Sequence, residues 1–110
     1  MSVRVLICET CAAVGHAPVG ADFAQELRAR VAGNVAVETV ACMNRCDKPL
    51  ALALSGAARD TYLFDGVDPA TDLEDAAALV RVYADAAGGT IVDARPAGRL
   101  RHCLVGRVPR

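Results

Sequence analysis

Residues 3–40 read VRVLIC-ETCAAVGHAPVG-ADFAQELRARVAGN-VAVETV, and this stretch decides the fold. VRVLIC is a short apolar run rich in β-branched residues, the pattern of a buried strand. Phe23, Leu27 and Val31 recur at a spacing of four, with Gln25, Glu26, Arg28 and Arg30 on the other faces. That spacing predicts a helix over 22–31, closed by Gly33-Asn34. VAVETV alternates and predicts a second strand over 35–40. A strand, a helix and a strand in this order form a right-handed crossover with parallel strands.

Working outward, LALAL at 50–54 predicts a third strand and TYLF at 61–64 a fourth. The link between them is short, so the two are expected to form an antiparallel hairpin. Asp60, Asp65 and Asp68 read as turn residues. Thr71-x-x-Glu74 has the form of a capping box. Leu73, Ala77, Val80, Tyr83, Ala84 and Ala87 make one apolar stripe, closed by Gly88-Gly89. Thr90 to Asp93 predicts a short extended segment. The last stretch, ARPAGRLRHCLVGRVPR, has no period and is expected to be irregular. The class is α/β, with the order β-α-β-β-β-α and a mixed sheet with helices packed on it. This is the minimal thioredoxin-like arrangement. The expected division is a domain over 1–93 and a basic tail over 94–110.

The 110 residues suffice for one hydrophobic core. Hydrophobic residues make up 54% but aromatics only 4%, so Ala, Val and Leu must do the packing, and little is left for a deep aromatic substrate pocket. No run of about 18 apolar residues exists, so no membrane span is expected. The start, MSVRVLIC, lacks the apolar region and cleavage site of a signal peptide, so a cytoplasmic protein is expected. All 13 acidic residues lie at or before Asp93, while residues 94–110 carry Arg95, Arg99, Arg101, Arg107 and Arg110 and no acid. The body is thus acidic, at −6, and the tail basic, at +5. An acidic body argues against nucleic-acid binding. The tail reads either as an arm folded on its own acidic domain or as a docking arm for an acidic partner.

Reducing compartments disfavour structural disulfides, so the cysteines point to metal or redox chemistry. Four of the five form two close pairs, C8-ET-C11 and C42-MNR-C46, and each pair begins where a predicted strand stops. Parallel strands end at one edge of a sheet, where ligand sites of open α/β folds gather. Four thiolates suit a tetrahedral Zn²⁺ or a [2Fe–2S] cluster with two thiolates per iron, and disfavour Mg²⁺ and Ca²⁺.

The stretch C42-MNR-C46-DKP-LALALSG, followed by TYLFDGVDP and a terminal helix, resembles the thioredoxin-like [2Fe–2S] ferredoxins. VRVLIC is similar to their first strand, which ends in the first cluster cysteine. The whole chain looks more closely like a family of small metal-binding proteins often encoded near cobalamin-biosynthesis genes, with an early C-x2-C and a basic, Pro-containing C-terminus. The resemblance implies a small electron carrier, not an enzyme, with Cys8 and Cys11 on one iron and Cys42 and Cys46 on the other. It implies redox partner proteins, a link to cobalamin or cobalt metabolism, and a homodimer. Arg45 and Lys48 would favour the reduced state, and Pro49 stands where thioredoxin folds place a cis-proline. The spacing C8-ET-C11 is shorter than in the ferredoxins and is also a zinc-ligand spacing, so zinc with the same four cysteines is the alternative.

Further readings stay open beside these. The cysteines could be buried small hydrophobes, or Cys8/Cys11 a redox dithiol. Ten residues of loop separate Cys11 from the expected helix start at Asp22, so no helix dipole is expected to activate that pair. His16 could replace a cysteine ligand, and Met43 could cover the site. Cys103 reads as a free or partly buried thiol and His102 as exposed. There is no Ser/His/Asp set, no Gly-rich phosphate loop and no H-E-x-x-H to support hydrolysis or phosphoryl transfer.

Overall fold

Val3, Val5 and Ile7 turn to one side of β1 (Val3–Cys8) and are buried, while Arg4 on the other side is exposed. The computed structural model describes residues 3–10, 17–41 and 48–110 of the chain. α1 (Gly20–Arg28) carries Phe23, Ala24 and Leu27 onto this apolar side and leads into β2 (Val35–Val40). β1 and β2 run parallel, in register from Val3↔Val35 to Cys8↔Val40. β3 (Leu52–Gly56) lies antiparallel on the other flank of β1, and β4 (Thr61–Phe64) returns beside it as the predicted hairpin.

α2 (Leu73–Asp85) adds Ala76, Leu79, Val80 and Tyr83 to the same core. The helices bury Ala24, Ala76 and Ala77 beside Phe23, Leu27, Leu79 and Tyr83, and all four aromatics of the chain are buried. Tyr62 and Tyr83 meet edge to face, with ring centroids 5.9 Å apart. Among the described residues, no helix is long and apolar enough to cross a membrane.

The C-terminal stretch, expected to be irregular, is ordered in two pieces. Residues Arg95–His102 form a 3₁₀ segment interrupted at Gly98, and Leu104–Val108 form β5, antiparallel to β4. The sheet therefore has five strands, in the order β2-β1-β3-β4-β5. β5 escaped the sequence reading because all five of its residues are exposed, so no apolar alternation marks it. Gly98 has φ 61°, and a Cβ there would lie 2.6 Å from the Asp75 carboxylate, so glycine is required.

Other boundaries shift for local reasons. α1 ends three residues early because the Arg30 amide turns back to the Leu27 carbonyl, 2.9 Å away, in a tighter turn. Val31, off the helix, still packs against the core. β3 starts at Leu52, since Leu50 instead exchanges two backbone bonds with Val67, at 3.0 and 3.1 Å. The capping box at Thr71 does not form. Asp72 precedes α2 without capping it by side chain, because its carboxylate accepts the Asp68 amide at 2.7 Å and the Arg99 guanidinium at 3.0 Å. The 90–93 stretch makes no strand; Thr90 donates to the Asp60 carboxylate instead. The cis peptide is Pro49–Leu50, one bond beyond the position expected from analogy.

Candidate metal centre

Cys8 is the last residue of β1 and is fully buried. It pairs in register with Val40, the last residue of β2, so the two strands end flush at one edge of the sheet. The Glu9 amide donates to the Val40 carbonyl at 2.8 Å and carries the pairing one step past the strands. Thr10 extends it further. Its hydroxyl donates to the Ala41 carbonyl and lies 3.6 Å from the Cys8 sulfur. A residue between the first two cysteines is therefore bonded to the residue that precedes Cys42. The sequence analysis does not single out Thr10; its signal is a hydroxyl between Cys8 and Cys11 in sequence.

Two more elements close on this edge. Gly20, the first residue of α1, lies against the Cys8 backbone, where a Cβ would fall 2.1 Å from the Cys8 carbonyl oxygen. The expectation that no helix dipole reaches the first pair concerns Cys11, which lies outside the described residues. The first loop separates Gly20 from Cys8 along the chain but returns it to contact. On the far side of the second loop, Lys48 accepts the Gly66 amide through its carbonyl at 2.9 Å, and the Cys8 amide donates to the Ala51 carbonyl at 3.1 Å. Lys48 is exposed at this edge.

Of the four cysteines expected to form the site, Cys8 is described. Cys11, Cys42 and Cys46 lie outside the described residues, as do His16, Met43 and Arg45. Among the described residues, no group of three or more His, Cys, Asp or Glu is placed to hold a metal ion. Cys103 is a free, buried thiol, as expected, and His102 is exposed. Cys103 precedes β5 at the same sheet edge as Cys8. Three strand spacings separate β5 from β1, about 14 Å, too far for the two sulfurs to share one ion. Burial pushes the Cys103 thiol up, against the pull of Arg99.

Asp60, a turn residue by its sequence setting, is a buried anchor. Its carboxylate accepts the Arg110 amide at 3.0 Å, the Thr90 hydroxyl at 2.8 Å and Arg107 at 3.3 Å. These bonds, the Arg110 amide first, hold its carboxyl below the usual carboxylate range. Asp72 is held low in the same way, chiefly by Arg99. Asp68 keeps the turn role, accepting the Ala70 amide at 2.9 Å. The basic segment is thus folded on the body, with Arg99 and Arg107 on buried acids and Arg95 on Asp93.

Over residues 5–110 the chain matches the family model described as "Protein of unknown function (DUF1636)". No curated protein and no solved structure matches it.

Proposed function

The chain belongs to the DUF1636 family, and from that premise we propose that it is a small electron-transfer protein whose Cys8, Cys11, Cys42 and Cys46 hold a [2Fe–2S] cluster. The family match spans both cysteine loops as well as the basic segment. The observation that carries the proposal is the bond from the Thr10 hydroxyl to the Ala41 carbonyl. It ties Thr10, which stands between Cys8 and Cys11 in sequence, to the residue that precedes Cys42. Cys8 is buried at that junction, a setting that shields a sulfur ligand from water.

The donor chemistry fits. Four thiolates from two close pairs suit a cluster with two sulfurs per iron. Such a cluster, when bound, supplies a one-electron site. The protein itself would orient the cysteines and exclude solvent, with Lys48 adding positive charge beside the second pair. The strand order β2-β1-β3-β4, with β1 and β2 parallel and β3 and β4 antiparallel, supports a thioredoxin-like fold. Redox proteins of the reducing cytoplasm are the partners that this role requires. An enzyme of cobalamin or cobalt metabolism is the partner suggested by the resemblance to small metal-binding proteins encoded near cobalamin-biosynthesis genes.

The short C8-ET-C11 spacing favours a second reading, a zinc module on the same four cysteines, serving structure or metal delivery. An absorption spectrum of protein purified without oxygen separates the two. Visible bands bleached by dithionite, with iron and acid-labile sulfide each near about two per chain, are expected. A colourless protein with stoichiometric zinc would sink the cluster. Cys→Ser at 8, 11, 42 and 46 is expected to lose the bound metal in each case, and Cys103→Ser to keep it.

A further inference from the structure

β5 closes the sheet at its C-terminal flank, and its outer edge pairs with no strand among the described residues. Every residue of β5 is exposed. The large exposed apolar side chains among the described residues are Val19, Val92, Leu104, Val105 and Val108. Three lie on β5, and Val92 adjoins Ile91, which lines a cleft beside it. An edge strand with outward apolar side chains is a template for one more strand. Proteins commonly blunt such an edge with a bulge. β5 has one, with Val105 opposite no β4 residue between the pairs Phe64↔Leu104 and Leu63↔Gly106, yet Val105 remains 43% exposed.

The cleft has a volume of about 120 Å³ and is lined by Tyr62, Phe64, Leu79, Ile91, Arg101 and Leu104. Phe64 and Leu104 are cross-strand partners, so the cleft opens on the side of the sheet to which Leu104 points. A strand added outside β5 would direct alternate side chains to that side. The space suits one aliphatic side chain.

Charge selects the occupant. Residues 94–110 carry five arginines, His102 and no acid. Arg95, Arg99 and Arg107 are taken up by Asp93, Asp72 and Asp60. Arg101, at the cleft, makes no close salt bridge among the described residues; it acts only at longer range on Asp93, which Arg95 already pairs, and its Nε donates to His102 Nε2 at 3.1 Å. We infer that the free edge of β5 docks an extended acidic segment of a partner protein as a sixth strand, seating one aliphatic side chain in the cleft and a carboxylate on Arg101. Main-chain hydrogen bonds supply the affinity in this mode, and the pocket supplies the selectivity. A second copy of β5 brings no acid, since residues 94–110 contain none, and so offers Arg101 no carboxylate. The inference is independent of what the cysteines hold.

The test titrates the isotope-labelled full chain with a short capped peptide of alternating glutamate and valine, followed by amide chemical shifts. The expected changes fall on Leu104–Val108 and around the cleft. Lysine in place of glutamate, or Arg101→Glu in the protein, is expected to weaken binding at least about tenfold. Arg101 is exposed, so the variant is expected to keep the native circular dichroism. A second variant, Leu104→Lys, alters the exposed wall of the cleft and is expected to abolish binding. No shift change on β5, equal binding of the lysine peptide, or unaltered binding by Arg101→Glu overturns the inference. So does self-association of the chain, seen by sedimentation, that moves the same β5 amides with no peptide present.

Discussion

β1 and β5 belong to one sheet but are held in it by different forces. β1 buries Val5, Ile7 and Cys8 completely and lies between β2 and β3, with neighbours on both edges. β5 buries nothing and has one neighbour. What fixes β5 is its ladder to β4, together with carboxylates supplied from elsewhere in the chain. Asp60 reaches Arg107 and the Arg110 amide, and Asp72 holds Arg99 in the segment that leads into the strand. Apolar burial is non-directional and cooperative across the core. Charge-assisted bonds are local and depend on protonation. The cysteine-bearing strand is thus secured by the core, whereas β5 itself is held by its ladder and polar contacts, with Ala97 and Leu100 anchoring the segment before it in the core.

The largest expected effect breaks both halves together. Leu54 is fully buried between Val5 and Tyr62 in the sheet, and Leu54→Ala is expected to cost about 2–5 kcal/mol in denaturant unfolding. Probes in β1 and β5 are expected to report one transition; separate transitions would show that the halves unfold independently.

Gly20→Ala comes next. The added Cβ meets the Cys8 backbone, which cannot give way as a flexible side chain would. A loss of about 1–3 kcal/mol is expected, together with weakened metal retention, since α1 must move off the end of β1. Unchanged metal content at full occupancy would show that α1 does not brace the cysteine edge.

Asp72→Asn tests the other half. The pair it weakens has one buried and one half-exposed member, so a cost of about 1–2 kcal/mol is expected. Hydrogen exchange is expected to speed up in Leu104–Val108 and stay unchanged in β1 and β2. Equal acceleration everywhere would contradict the division.

Acid gives the smallest and most selective effect. Asp60 and Asp72 both have carboxyls lowered from the ordinary 3.8. A carboxyl lowered by folding adds stability that is complete above its unfolded value and disappears as pH falls through its folded one. The C-terminal segment is therefore expected to loosen below about pH 4, ahead of the core, as seen in amide shifts of β5. A β5 that stays as protected as β1 down to acid unfolding would show that its ladder to β4 suffices.

Much of the fold was legible from local pattern. VRVLIC, VAVETV and TYLF became strands with the expected bounds, and the parallel crossover and the hairpin formed as read. Those elements declare themselves through apolar side chains that must leave water. The capping box and the irregular tail failed for the opposite reason. Thr71 looks like the cap from its spacing to Glu74, but α2 starts after Asp72, whose carboxylate serves Arg99, 27 positions away in sequence. Asp60 looks like any turn aspartate until Thr90, Arg107 and Arg110 converge on it.

The cysteine site divides the same way. Sequence identified the pairs and put Cys8 at a strand end, since the apolar run stops there. It could not show that Thr10 bonds the residue before Cys42, or that Gly20 closes against Cys8. By itself, then, the sequence determined the strands and helices whose buried faces follow a period of two or of 3.6. Tertiary structure decided the fifth strand, the partners of Asp60 and Asp72 and the bond from Thr10 to Ala41. The physical reason is that hydrophobic burial is written into neighbouring residues, whereas a hydrogen bond between distant polar groups exists only once the core has brought them together.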